Sequence, residues 1–274
     1  MKVFVSIDME GVSGVCHLAQ TEHDTDEWRA ARRLMRGDLD AVLEGCFEGG
    51  ADEVVVCDAH DHGDNLGAEG LPAGVTLVSG GGTDLSMMAG LDESFDAAMM
   101  VGYHARAGTL GATLAHTYTF GVAEALVCGG PDGDQPTGEL GLNAAVAGAL
   151  GVPLVFASGD DKLAAEAQTL LPGLETVTVK HGLAWTDARL IGPEQTGAEL
   201  RAAARRALRA APPPLVDWNG RSLRVRFGRA GWCDNAAGCP GVTRIDGTTI
   251  EIAAADWLGV FAGCVASVRL AYSE

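Results

Sequence analysis

The stretch VFVSIDMEGVSG, residues 3–14, decides how the rest of the chain is read. Its apolar, β-branched opening makes a strand over residues 3–7. The chain then sets Asp8 and Glu10 two residues apart, before a glycine-rich turn. In extended backbone, side chains at i and i+2 share a face. The strand is therefore expected to deliver two carboxylates, side by side, to its carboxyl end. Like charges that close repel unless one is protonated or a cation sits between them. In an open α/β sheet, ligands bind beyond the carboxyl ends of the strands.

Strands and helices alternate outward from this point. Residues 27–48 carry Trp28, Ala31, Leu34, Leu39, Val42, Cys46 and Phe47 near a 3.6-residue period, and Gly49-Gly50 ends that helix. EVVVCD (53–58), VTLVSG (75–80) and AAMMVGYH (97–104) read as strands. A small-residue helix over 139–150, a strand over 152–160, a helix over 161–171 and a last strand over 175–180 follow. Continuous apolar strands between helices predict an α/β fold, with a mostly parallel sheet covered by helices on both faces, over residues 1–190. The composition then changes. An Arg- and Ala-rich helix over 192–211 is closed by Pro212–Pro214, and strands at 222–227 and 248–255 precede a C-terminal helix capped by Asp256. Residues 191–274 are expected to form a smaller α+β subdomain, packed on the first or on a neighbouring subunit.

The whole-chain properties narrow the class. With 47% hydrophobic residues in 274, a sizeable core is available. No apolar run reaches membrane-spanning length and the start lacks the pattern of a signal peptide, so a soluble, cytoplasmic protein is expected. Seven scattered cysteines fit reduced, buried thiols rather than a disulfide framework. A net charge of −18 argues against nucleic acid and anionic membranes as partners and favours a cationic ligand, such as a free peptide amine.

Several polar residues fall at strand ends. Besides Asp8 and Glu10 there are Asp58-Ala59-His60, His104, then His116 in LAHTYTFG and Glu139 at a helix start. Mixed Asp, Glu and His ligation suits Zn²⁺, with Mn²⁺ or Co²⁺ as alternatives. His60 sits nearer the strand end than His62, which is expected to face solvent. DAHDHGDN has the outline of a calcium loop, but imidazoles at its third and fifth positions are wrong for a hard cation. His17, His23 and His181 read as ordinary hydrogen-bonded histidines. The run SGGGTD (79–84) lacks the lysine of a phosphate-binding loop, no GxSxG elbow exists, and no cysteine has an evident catalytic partner.

Taken in order, SIDMEGVSG, DAH at 58–60, GYHARAGT at 102–109, His116 followed by FG, and GELGLNA at 138–144 resemble the zinc D-aminopeptidases of the dipeptide-transport type. SGDD (158–161), VK (179–180) and PGVTRIDGTTIEI near the C-terminus extend the likeness over nearly the whole chain. The resemblance implies a dinuclear zinc site held by Asp8, Glu10, His60, His104 and Glu139, with Asp8 bridging the ions and His116 in the catalytic role. It also implies a self-compartmentalising homodecamer of two five-membered rings. The activity implied is release of N-terminal residues from short peptides by metal-activated water. Whether D- or L-residues are preferred is decided by a pocket and not by a one-dimensional string. The segment 128–139 is longer than the usual connection in that family, which brings Asp132 and Asp134 forward as contacts for a substrate amine. Two rivals stand beside this reading: another two-metal hydrolase (an amidase or phosphoesterase), and a zinc-binding ring protein without activity.

Overall fold

The computed structural model describes residues 1–273. Strand β1 (Lys2–Ile7) leads through a loop to helix α1 (Asp26–Gly49), then β2 (Glu53–Asp58), β3 (Val75–Val78) and β4 (Ala97–Val101). A long loop follows, then β5 (Val122–Cys128), β6 (Gln135–Pro136), α2 (Glu139–Ala149), β7 (Leu154–Asp160) and α3 (Asp161–Leu170). Next come β8 (Glu175–Ala184), β9 (Asp187–Leu190), α4 (Pro193–Arg209) and β10 (Ser222–Phe227). The chain closes with α5 (Ala230–Ala236), β11 (Val242–Arg244), β12 (Thr249–Ile252) and α6 (Trp257–Ala271).

The first sheet runs in the order β3-β2-β1-β4-β7-β8-β9. All its pairings are parallel except β8 with β9. From β1 the chain winds outward through β2 and β3, then crosses back so that β4 lies on the other side of β1. That reversal leaves a crevice at the carboxyl ends of β1 and β4, where an open α/β sheet takes its ligand. Val3, Val5 and Ile7 of β1 pack into one apolar cluster with α1 and α4, while Phe4 joins the cluster of the opposite face. Alternation of this kind follows from the two-residue period of a strand, and both faces are covered as a parallel sheet requires.

Local chemistry explains the element ends. Thr25 caps α1 by accepting from the Trp28 N–H, and Gly50 closes it with φ 109°, in the left-handed region glycine tolerates. Asp256 caps α6 through the Gly259 N–H. Among the described residues no helix is long and apolar enough to cross a membrane. All seven cysteines are free thiols, six of them buried.

The second sheet departs from the sequence-based plan. Its order is β11-β12-β10-β5-β6, antiparallel throughout. Two of its strands, β5 and β6, come from the N-terminal side of residue 190, whereas α4 from the C-terminal side packs on α1 against the first sheet. The division expected at 190/191 therefore does not coincide with the division between the layers. The Arg-rich composition of α4 is its solvent face, and Leu200, Ala203, Ala204 and Ala207 form the buried stripe beneath. One apolar cluster runs from Phe4 and Met100 through α2 and α6 to Leu223 and Ile250, so the two sheets share a core.

Candidate active site

Each candidate residue hangs on the crevice between β1 and β4. Asp8 and Glu10 follow β1, His60 follows β2, His104 follows β4, Glu139 is the first residue of α2, and His116 sits in the loop between β4 and β5. Asp8 and Glu10 do converge, but not through strand alternation. β1 ends at Ile7, and the two acids lie on the turn beyond it, where the Val12 N–H donates to the Met9 carbonyl at 3.2 Å. That turn lies hard against β4. The Gly11 N–H donates to the Gly102 carbonyl at 2.7 Å, and a Cβ on Gly11 would meet the Tyr103 carbonyl oxygen at 1.9 Å. Only glycine permits so close an approach.

All five proposed ligands and His116 come together, and the five acids and imidazoles of the ligand set are each at least 94% buried. His60 Nδ1 lies 3.2 Å from Asp8 Oδ1 and 3.0 Å from Glu10 Oε2, and His104 Nε2 lies 3.5 Å from Asp8 Oδ2 and 3.3 Å from Glu139 Oε2. His116 Nε2 is 4.0 Å from Glu10 Oε1 and 3.9 Å from Glu139 Oε1, and its ring stacks on His104 with centroids 3.9 Å apart.

The far nitrogen of each imidazole faces a backbone carbonyl: His60 Nε2 on Thr21 (2.9 Å), His104 Nδ1 on Ala105 (3.0 Å) and His116 Nδ1 on Leu114 (2.8 Å). A carbonyl only accepts, so those nitrogens carry the proton. In the neutral rings the lone pairs are then turned onto the carboxylates. Three lone pairs facing three buried acids is a repulsive arrangement that a cation or extra protons must resolve. Two atoms of the cluster, Glu10 Oε2 and His104 Nε2, are buried without any aligned hydrogen bond. The donor set of oxygen and imidazole nitrogen is one that Zn²⁺ accepts. Two overlapping triads, Asp8–Glu10–His104 and His104–His116–Glu139, each bring ligand atoms within 4.8 Å of one another.

With protons alone at the cluster, charge is redistributed among its members. Burial disfavours the His104 imidazolium, but Glu139 and then Asp8 outweigh it and push its pKa up to about 10. Burial, followed by the charge of Glu10, raises Asp8 to about 7. Burial and the neighbouring His104 instead hold His116 below the usual imidazole range. One ring of the stacked pair is thus favoured as the neutral form.

The surroundings show residues that no motif pointed to. The Asp58 carboxylate accepts from the Asn65 N–H at 2.7 Å, the Leu66 N–H at 2.7 Å and Asn65 Nδ2 at 3.0 Å, and Asn65 Nδ2 also donates to the His60 carbonyl at 2.7 Å. Asp58 shapes the loop that presents His60. Replacing it with alanine strands three donors, and a loss of about 3 kcal/mol in denaturant-derived stability is expected, with Asp58→Asn recovering part of it. Tyr103 OH, Ser6 Oγ (2.6 Å) and Asn143 Nδ2 (2.9 Å from the phenol) form a buried hydrogen-bonded chain that ties β1 and α2 to the residue before His104. His116 is held between Leu114 and Tyr118, both in the left-handed region at φ 51° and 60°. The Tyr118 N–H donates to Glu139 Oε1 at 2.5 Å.

A cavity of about 700 Å³ opens over the cluster, with Glu22, Asp61, Phe120 and Arg269 in its wall besides the acids and imidazoles. His62 points outward as expected, its side chain 74% exposed. Asp132 and Asp134 do not belong here. Asp134 pairs with Arg224 at 2.9 Å, and Asp132 lines a second cavity with Arg106 and Lys162. The connection into Glu139 runs along the edge of the second sheet as β6, which carries both acids away from the crevice that holds the cluster. Arg269 from α6 stands in the wall of the cavity over the cluster, whereas Arg106 lines the second cavity.

Comparison with known proteins points to a family. The sequence matches the Peptidase_M55 family, described as D-aminopeptidase, over residues 1–265. It is 33% identical over 274 residues, covering 99% of this chain and 98% of the relative, to a D-aminopeptidase of Bacillus subtilis (strain 168). The fold superposes on the solved structure of DppA from Bacillus subtilis, described as a Zn-dependent D-aminopeptidase and a self-compartmentalizing protease. The TM-score is 0.93 with 32% identity, covering 100% of this chain and 99% of that one. On the strength of a match spanning both sheets and every element that carries the cluster, the chain belongs to the M55 family of D-aminopeptidases.

Proposed function

We propose that the protein is a zinc-dependent aminopeptidase that removes the N-terminal residue from short peptides, with preference for D-residues. The observation that carries this reading is the pair of buried, unbonded ligand atoms, Glu10 Oε2 and His104 Nε2, within a cluster of three acids and three imidazoles. Asp8, Glu10, His60, His104 and Glu139 would hold two zinc ions; Mn²⁺ and Co²⁺ suit the same donors. Two divalent charges outweigh the three carboxylates, whereas one leaves the cluster net negative. Bound zinc supplies a Lewis acid for the scissile carbonyl and ionises water near neutral pH, the water pKa falling from 15.7 towards ~7.

The remaining work falls to the chain itself. Glu22 and Asp61, in the cavity wall with the cluster acids, draw in the positively charged amine of a peptide. His116 Nε2 faces the space beside Glu10 and Glu139, where it donates to the developing oxyanion or passes a proton to the leaving amine. In the neutral ring the proton sits on Nδ1 against the Leu114 carbonyl, so Nε2 first accepts a proton from the attacking water and then, as imidazolium, supplies it to the oxyanion or the leaving amine. The D preference is extended from the relatives. It is tested with matched D- and L-dipeptides, beside p-nitroanilides and p-nitrophenyl phosphate. The expected order is D-dipeptide above L-dipeptide, with phosphate ester untouched; hydrolysis of the phosphate ester alone would sink the reading.

Assembly into a homodecamer of two five-membered rings in the reducing cytoplasm completes the proposal. Leu183 (67% exposed), Trp185 (42%) and Phe120 (52%) form an apolar rim that supports it, since Phe120 packs edge-on against Trp185 and also lines the cavity. Sedimentation is expected to find a large ring and no stable monomer.

A further inference from the structure

Lys180 is fully buried on β8, and its ammonium meets no carboxylate within 4.0 Å among the described residues. Its three protons go instead to backbone carbonyls of the turn after β1: Glu10 at 2.5 Å, Val12 at 2.9 Å and Val15 at 2.5 Å. An ammonium has three donors and no acceptor, and each buried donor must find a partner. Here every one of them is spent on the segment that carries Glu10.

The peptide unit that follows Glu10 is clamped at both ends. Its carbonyl is taken by Lys180 at 2.5 Å, and its N–H, on Gly11, donates to Gly102 at 2.7 Å. Asp8 is held quite differently. Its N–H continues the pairing of β1 with β4 by donating to Val101 at 2.9 Å, and its Oδ1 accepts from the Met9 N–H at 2.9 Å. Glu139 is fixed by the start of α2 and by the Tyr118 N–H. Of the three carboxylates, only Glu10 has its backbone position set by Lys180. Further along the same turn, Ser13 has anchors of its own, its N–H on Asp38 at 2.8 Å and its hydroxyl on Thr196 at 2.7 Å.

We propose that Lys180 is a positioning residue for the metal centre, holding Glu10 opposite His60 and thereby governing one of the two cation positions more than the other. This rests on the two-ion reading above. Groups that orient metal ligands from behind typically change affinity 10–100-fold when removed. Lys180→Met keeps the length and apolar stem but supplies no donor, so the Glu10–His60 half of the centre loosens while the His104–Glu139 half keeps its ligands.

The test is a two-step zinc titration of the whole protein against a chromophoric chelator, repeated with Co²⁺ to read the visible absorption of each position. Wild type is expected to bind two ions. Lys180→Met is expected to keep the tighter ion within about threefold and to weaken the other at least tenfold. Its kcat should fall while KM stays within about threefold. Ser13→Ala, which cuts a different tie of the same turn, should leave both affinities within about threefold. Equal loss in both variants would mean general loosening and overturn the proposal. So would two wild-type affinities in a folded Lys180→Met. Lys180→Arg keeps the charge but presents a planar fork that cannot meet three converging carbonyls. If Lys180→Met does not fold, Lys180→Arg must show the same selective weakening, and unchanged binding there overturns the idea. A wild-type chain that takes up a single ion overturns the two-ion reading and the selective effect with it. Two ions in wild type with no selectivity in the variants overturns the role of Lys180 alone.

Discussion

Removing metal with a chelator is expected to lower dipeptide hydrolysis by about 10³-fold or more, with recovery on adding about two zinc equivalents per chain. The magnitude follows from the several kcal/mol that a metal supplies to carbonyl polarisation and water ionisation, each 1.36 kcal/mol being about tenfold in rate. A preparation without metal that keeps full activity would end the proposed function. The same cluster gives the response to pH its sign. In metal-free protein the His104 pKa stands at about 10 against an ordinary value of 6.5. The stability from that proton is complete below about 6.5 and disappears as pH rises through about 10. Zinc takes the proton's place, so apparent zinc affinity is expected to weaken as pH falls, by about tenfold per unit for each proton displaced. Isothermal titration in buffers of different ionisation enthalpy measures that proton release directly. An affinity flat between pH 6 and 8 would contradict the histidine ligands.

Replacing His116 with alanine is expected to reduce kcat by about 10²–10⁴-fold, the usual range for a positioned acid or base, while both ions stay bound. The geometry makes this a sharp test, because His116 Nε2 also stands within 4.8 Å of ligand atoms on His104 and Glu139. Loss of an ion from His116→Ala would make it a ligand; turnover within threefold of wild type would remove it from the mechanism. Burial and His104 hold its pKa below the usual range. The acid limb of the wild-type rate profile, where the neutral ring gains a proton, is therefore expected below about 6.5 and absent from the variant.

Much of the site was legible in the string because its donors stand at or near the ends of apolar segments. Asp8, His60 and His104 each follow a β-branched or apolar run, and such runs announce themselves by hydrophobicity alone. The boundaries of β1, β2, α1 and α2 fell within a residue or two of expectation for the same reason. β5 was harder to see. Its pattern of burial is interrupted at Ala123, Glu124 and Leu126, and it follows the irregular loop that carries His116. Its partner β10 lies nearly a hundred residues later, and pairing at that distance leaves no local trace.

What the sequence determined by itself was the set of donor side chains and the alternating apolar segments that carry most of them to one edge of a parallel sheet. These are properties of residue type and period. Tertiary structure decided the rest: the turn that makes Asp8 and Glu10 converge, the departure of Asp132 and Asp134 to another face, and the arrival of Arg269. It also decided the burial of Lys180 beneath the carbonyls around Glu10. Those outcomes depend on which segments meet across the fold, and backbone carbonyls, which every residue possesses, carry no signature in a list of side chains.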